Sequence, residues 1–300
     1  MTKSSRADEQ APRAGRLSIV ATPIGNLDDI TLRALATLRA ADAIVAEDTR
    51  HTHKLCARHG IGRRLISFHA HSPDAAVERL VADLAAGAHL ALVTDAGTPL
   101  VSDPGARLVE AAVRAGIRVE PIPGPSAVTA ALTVAGIATD EFRFVGFIAR
   151  SGERRRRALA RIAADEATTV LYEAPSRIAA TLADLARAAG DDRPAAVCRE
   201  LTKMHEEVAR GTLGELREQF RQGARGEITL VVAGTAGQAA PEVDADTVAA
   251  DDAAIDERVA VWLAEGSSAR DAARRLSEEH GVAHRDAYRR VLAVRDRAPR

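Results

Sequence analysis

At 300 residues the chain is longer than one hydrophobic core ordinarily organises, so two domains of ordinary size are expected. Its 46% hydrophobic and 28% charged content excludes a disordered chain, and an aromatic content of only 3% argues against a single-strand reader that stacks bases on a row of rings. A net charge of -1 excludes a uniformly basic nucleic-acid coat, though not a basic patch.

The charge is unevenly spread. Arg150, Arg154, Arg155, Arg156, Arg157 and Arg161 fall in one short stretch, whereas residues 227–257 hold no Lys or Arg. Cys56 and Cys198 are far apart, which fits a reducing compartment and gives neither a disulfide framework nor a metal-ligand spacing. No apolar run approaches the ~18 residues of a membrane span. Residues 1–15 are polar and lack the apolar core of a secretory signal, so they read as a disordered leader. A cytoplasmic protein without a membrane partner is expected.

In chain order, residues 17–21 predict a first strand, followed by the loop Thr22-Pro23-Ile24-Gly25-Asn26-Leu27. Asp28 or Asp29 then caps a helix over 30–40. A second strand over 43–46 ends in Glu47-Asp48-Thr49-Arg50, and a helix through 53–59 stops at Gly60. A third strand covers 65–68, and a helix over 74–86 is opened by Pro73 and closed by Gly87. Residues 90–93 form an aliphatic run of the length expected for a strand buried on both faces. That run breaks into Asp95-Ala96-Gly97-Thr98-Pro99 before a helix over 106–113, with Ala106, Val109, Ala112 and Val113 at helical spacing. Strand, Gly/Pro-punctuated loop and helix is how an open α/β sheet builds a ligand crevice, although a plain crossover turn has the same composition. Residues 118–122 complete a largely parallel sheet, placing an N-terminal α/β domain at 16–122.

Pro123-Gly124-Pro125-Ser126-Ala127 reads as a hinge, with Ser126 placed to cap a helix over 127–134. Beyond it, residues 142–147 alternate as a strand, and 154–164 form a helix with a dense basic face. A strand over 168–173 leads to a helix over 176–189, and a strand over 195–200 repeats that arrangement. A strand edge at 206–213, a helix at 214–221 and a strand at 227–234 finish a C-terminal α/β domain at 123–234. Residues 235–254 shift to Ala, Asp, Gly and Pro, an acidic linker. A small helical domain follows at 255–296: Ile255, Val259, Trp262 and Leu263 stripe one helix, Ser268 caps a second, and Gly281 precedes a third over 285–294. Three short helices with Arg285, Arg289 and Arg290 on the last resemble a helix-turn-helix, and any three-helix cap shows the same pattern.

Taken together, the motifs carry a resemblance. Ala21-Thr22-Pro23-Ile24-Gly25-Asn26-Leu27-Asp28-Asp29-Ile30-Thr31, Glu47-Asp48-Thr49-Arg50, residues 94–105, residues 123–127, Tyr172-Glu173-Ala174-Pro175 and Arg199-Glu200-Leu201-Thr202-Lys203 are similar to blocks of one family, in order, across residues 17–234. That family is the ribosomal RNA small subunit methyltransferases I of the tetrapyrrole-methylase superfamily. The resemblance implies two α/β domains with S-adenosylmethionine in the cleft between them, usually in a homodimer. It also implies methylation of the ribose 2′-OH of a cytidine in the decoding region of small-subunit rRNA, whether the partner is free rRNA or the 30S subunit. Departures fall at Ala21, where Gly is frequent, at Ser72 in place of Asn, at Ser176 in place of His, and at Ile148-Ala149-Arg150-Ser151 in place of Leu-Pro-Arg-Lys.

By resemblance, Pro23, Asp95, Ala96, Gly97, Thr98, Val101, Ser126, Ala127, Tyr172, Glu173, Leu201 and Ile228 line the donor site. Transfer to a hydroxyl needs an in-line approach and a group to take the proton. Glu47 or Asp48 is placed to accept it while Arg50 grips a phosphate. Lys203 is the second candidate, with burial and the donor's positive charge lowering its pKa. The structural alternative has Asp48 capping the next helix and Arg50 pairing with Glu47. Arg154, Arg155, Arg156 and Arg157 read as a phosphate track or as a solvated helix face. His51, His53, His59, His69 and His71 lack a companion ligand cluster, and no metal is expected. Two other functions share the fold or the cleft: methylation of a cobalamin or sirohaem precursor, and a non-catalytic RNA-binding ribosome-assembly factor.

Overall fold

The computed structural model describes residues 14–101, 105–237, 245–280 and 284–297. Most of the leader, Ser102 to Pro104 and Gly281 therefore lie outside the described residues, as does the side chain of Arg285. The chain divides at 238/239 into two compact units.

The first unit holds two five-stranded sheets. One is wholly parallel, in the order β3-β2-β4-β1-β5, from β1 (Arg16–Val20), β2 (Ala43–Ala46), β3 (Arg64–Ser67), β4 (His89–Val93) and β5 (Arg118–Ile122). Residues of β4 alternate between two cores. Ala91 and Val93 join the cluster under α1 (Leu32–Ala40) and α2 (Thr49–Arg58), while Leu90 and Leu92 join the one under α3 (Asp74–Ala85) and α4 (Ala106–Arg114). A strand buried on both faces needs this unbroken aliphatic run, because a polar side chain on either face would lose its water without gaining a partner.

The second sheet is mixed, in the order β6-β7-β10-β8-β9, from β6 (Phe142–Phe147), β7 (Thr168–Glu173), β8 (Pro194–Arg199), β9 (Glu207–Thr212) and β10 (Ile228–Val232). β10 runs antiparallel to both β7 and β8. One face packs on α6 (Gly152–Ala164), α7 (Ile178–Ala189) and α8 (Leu213–Gln219); the other receives α5 (Ala127–Ala135). Ile24, from the loop after β1, is buried in that second core. Thus the first loop of one sheet is anchored in the hydrophobic layer of the other.

Several local expectations change. Asn26 caps a short 3-10 turn at Leu27–Asp29 and Thr31 caps α1, so neither Asp28 nor Asp29 is the cap; Ile30 has extended backbone and separates the two pieces. On α4 the buried stripe is Leu108 and Ala112, while Val113 is 60% exposed. Gly105, at φ 123°, starts the helix where an added Cβ would meet Leu92 at 2.9 Å. Ser126 stands at the N-cap of α5 without a side-chain capping bond.

The second unit contains α9 (Ala245–Ala264), α10 (Ala269–His280) and α11 (His284–Arg297) around Val259, Trp262, Ala272, Ala273, Leu276 and Val291. The stretch expected as linker up to 254 is therefore helical from Ala245, since its alanines favour helix despite the acidic residues. Ser268 Oγ accepts from the Asp271 amide and caps α10.

One polar cluster is buried in the parallel sheet. Ser18 Oγ donates to Glu120 Oε1 at 2.8 Å and lies 2.9 Å from His89 Nε2, while Arg16 Nη2 lies 3.1 Å from His89 Nδ1. The serine proton is committed to Glu120 and arginine only donates, so the bonding assigns a neutral His89 with its proton on Nε2. Burial, reinforced by Arg16, holds the His89 pKa below the ordinary 6.5. A depressed histidine pKa means the unfolded chain takes up the proton first, so stability is full above about pH 6.5 and falls as pH drops below it. Thermal unfolding between about pH 7.5 and 5.5 is expected to show this slope, and His89→Gln to flatten it. Identical slopes in the two proteins would overturn the assignment.

Candidate active site

Loops from the carboxyl ends of β1 and β4 leave the parallel sheet side by side, where an open α/β sheet forms its crevice. They are stitched together by a two-way backbone pair. Thr22 N donates to Gly97 O at 2.9 Å, and Gly97 N donates to Thr22 O at 3.0 Å. Thr22 Oγ1 adds a bond to Thr94 O, and Thr98 Oγ1 reaches Pro125 O across to the hinge. Gly97 has φ 81°, the left-handed region in which a side chain is strained.

Opposite these loops stand the carboxyl ends of β6, β7 and β8 and the amino end of β10, which antiparallel pairing brings to the same edge. Together they enclose a cavity of about 360 Å³. Ala96, Gly97, Thr98 and Val101 line it from the parallel sheet; Ser126 and Ala127 line it from the start of α5. Tyr172, Glu173, Leu201 and Ile228 line it from the mixed sheet. Of the donor-site residues expected from sequence, Pro23 and Asp95 are not among the lining. Asp95 instead accepts from the Asp48 amide and lies 3.7 Å from His51, tying the β2 and β4 loops together.

Sequence reasoning missed Ile24, Phe147, Cys198, Gly226, Glu227 and Thr229. Cys198 and Thr229 are placed by sheet pairing and Phe147 by the end of β6, which no local pattern reveals, whereas Ile24 comes from the loop after β1. Cys198 is fully buried and its thiol is pushed up to about 11 by that burial, so it is an apolar wall and not a nucleophile. Glu173 has little carboxylate to offer a ligand: Ala174 N donates to it at 2.8 Å, Thr181 Oγ1 at 2.5 Å, and Arg177 Nε lies 3.2 Å away.

At the rim, Glu47 accepts from Thr94 Oγ1 at 3.1 Å. The Asp48 side chain caps α2 through the Arg50 amide and also binds the Arg50 guanidinium through both its oxygens. Arg50, by hydrogen bond and charge, holds the Asp48 carboxyl far below the usual range. The capping alternative thus holds for Asp48, and the partner of Arg50 is Asp48, not Glu47. Lys203 reverses its expectation. Burial alone would lower its pKa, but Glu200 at 2.8 Å and Glu227 at 3.0 Å outweigh it and raise the value above 10.5. This loop turns sharply, with Glu200 and Thr202 at φ 53° and 66°, and it closes on the first loop where Thr202 Oγ1 accepts from Asn26 N. Gly25 has to be glycine there: an added Cβ would lie 2.5 Å from Lys203 Cγ.

The family profile for Tetrapyrrole (Corrin/Porphyrin) Methylases matches residues 16–217. Proteins named ribosomal RNA small subunit methyltransferase I align along most of the chain. That of Halalkalibacterium halodurans is 40% identical over 95% of this chain and 98% of its own, and that of Mycobacterium tuberculosis is 42% identical over 94% and 96%. The relative in Xylella fastidiosa is 49% identical over 76% and 85%. The chain belongs to the ribosomal RNA small subunit methyltransferase I family. Solved structures share the fold at lower identity: a cobalt precorrin-4 methyltransferase at 22% identity, TM-score 0.58, covering 75% of this chain and 98% of that one. A Thermus thermophilus uroporphyrin-III C-methyltransferase complexed with S-adenosyl homocysteine matches at 20% identity, TM-score 0.54, covering 73% and 97%.

In this family member the arginine run of α6 is not one uniform face. The Arg155 side chain is only 10% exposed, bound to Asp184, Thr181 Oγ1 and the Ala149 carbonyl, so it holds α6 to α7. Arg156 and Arg157 both pair with Glu153 on the surface. Arg154 is exposed and, among the described residues, without an acidic partner. Arg155→Ala is therefore expected to cost about 1–3 kcal/mol by leaving Asp184 and Thr181 short of a partner. Arg154→Ala should change stability by less than about 0.5 kcal/mol. Urea unfolding of both variants checks this, and equal losses would put Arg155 back on the surface.

Proposed function

We propose that this chain transfers a methyl group from S-adenosylmethionine to small-subunit ribosomal RNA, at the ribose 2′-OH of a cytidine in the decoding region. The observation that carries the reading is the cavity walled by both α/β halves, in a chain whose relatives over nearly full length bear the rRNA methyltransferase name. Its residues fit the donor. Ile24, Val101, Leu201 and Ile228 suit a purine ring, while the Ser126 hydroxyl, free of capping, and the peptide groups of residues 96–98 suit ribose and carboxylate. Bound there, S-adenosylmethionine supplies a methyl carbon already activated by its sulfonium.

What remains for the chain is to align the hydroxyl and take its proton. Asp48 is a weak base because Arg50 holds it ionised, and Lys203 is a cation between two carboxylates. Glu47, at the end of β2 where Thr94 Oγ1 donates to it, is the carboxylate to which this reading gives the proton, for its position at that strand end. Arg50, fully charged and 86% exposed in its side chain, keeps donors free for an RNA phosphate. The reading also places the enzyme in the cytoplasm as a homodimer, acting on rRNA free or within the 30S subunit.

Mass mapping of small-subunit rRNA with and without this chain is expected to show one ribose methyl lost at a cytidine. Glu47→Gln should lower turnover by about 10²–10⁴ while donor affinity stays unchanged. Lys203→Ala should cost less turnover than Glu47→Gln. If Lys203→Ala abolishes turnover at normal donor affinity and Glu47→Gln does not, the proton assignment is wrong.

A further inference from the structure

β6 does not alternate to its end. Its pairing with β7 shifts between Phe144 and Phe147, and Gly146 adopts φ 63°. Such a bulge re-aims the side chain that follows it. Here it brings Phe147 out beside Tyr172, ring centroids 5.5 Å apart, while Tyr172 is itself backed edge-on by Phe144 at 4.9 Å. Phe147 is 58% exposed in a chain with only five Phe, two Tyr and one Trp. It lines the donor cavity and also a second, neighbouring groove of about 690 Å³, to which Arg150, Ser176 and Arg177 contribute.

Among the described residues, the groove carries one uncommitted cation. Arg177 is spent on Glu173 and the Ile148 carbonyl, and Arg155 on Asp184 and the Ala149 carbonyl. Arg150 is exposed and has no acidic partner among the described residues. Because two arginines hold the carbonyls of residues 148 and 149, the turn that presents Arg150 is fixed before any ligand arrives.

We infer that this groove seats the acceptor nucleotide, its base stacked on Phe147 and a phosphate held by Arg150. The inference rests on the rRNA-methylation reading and names the residues that select and hold the substrate. A nucleotide modified within RNA must be unstacked from its neighbours, and a single aromatic face with an adjacent cation replaces the stacking it gives up. One ring serves one nucleotide, which accords with a chain too poor in aromatics to stack a row of bases.

The test uses the full chain and small ribosomal subunits from cells lacking it, with binding followed over a range of salt and S-adenosylhomocysteine affinity measured by calorimetry. Phe147→Ala is expected to weaken subunit binding by about tenfold or more with no change in salt slope. Phe147→Tyr should bind within about twofold of the parent, whereas Phe147→Leu should not recover. Arg150→Ala should weaken binding and reduce the salt slope by about 0.7–1, with Arg150→Lys restoring the slope and donor affinity untouched by either. Equal binding by Phe147→Leu and the parent, or an unchanged slope in Arg150→Ala, overturns the inference. A dimer that becomes monomeric in Phe147→Ala with subunit affinity intact also overturns it, in favour of a contact between copies. Should the parent chain neither bind nor methylate subunits, the functional reading falls and the groove assignment with it. If the parent does both and the variants match it, only the groove assignment falls.

Discussion

Two backbone hydrogen bonds between Thr22 and Gly97 fix the geometry on which the cavity depends. They join loops that follow adjacent strands but lie far apart in sequence, and they do so without using any side-chain group that a ligand would need. Main-chain bonds of this kind hold the wall at nearly fixed depth, because neither partner has a rotamer to change. From this pair the remaining contacts follow in both directions. Ile24 continues outward into the mixed-sheet core, and Thr98 reaches the Pro125 carbonyl at the start of α5.

The rim obeys a different logic, that of charge neutralisation. Two of the candidate catalytic groups are already neutralised where they stand. Asp48 has its guanidinium and its capping bond, and Lys203 has two carboxylates. Groups satisfied in this way serve as scaffolding for the loops that carry them. The same accounting separates the arginines of α6. Arg155 is committed to the interior, while Arg154, and Arg150 just before the helix, face solvent with their charge available.

Strands such as β2 and β4 in the parallel sheet and β7 in the mixed one were legible because each centres on a short apolar run, and β2 and β7 fall where the pattern puts them. Ala96 to Thr98, Ser126, Tyr172 and Ile228 were legible through motif resemblance, and they do converge on one cavity. What was not legible depends on pairing across the chain. Cys198, Gly226 and Thr229 enter the lining only because β10 runs antiparallel between β7 and β8, a register that no local sequence encodes. Likewise the burial of Arg155 is set by Asp184 and Thr181 on a later helix, and the raised pKa of Lys203, begun by nearby Glu200, is completed by Glu227 just before β10. Composition can announce a basic run, but it cannot say which of its members points inward.

Ile24 has a consequence of another kind. A residue from the loop of one sheet that is buried in the hydrophobic layer of the other pins that loop to its neighbour's core. Neither half can then open fully without exposing part of its neighbour's interior, and removing a buried aliphatic side chain of this size costs about 2–5 kcal/mol. Opening of the mixed-sheet half thus disturbs the first loop of the parallel half, which couples the local stability of the two.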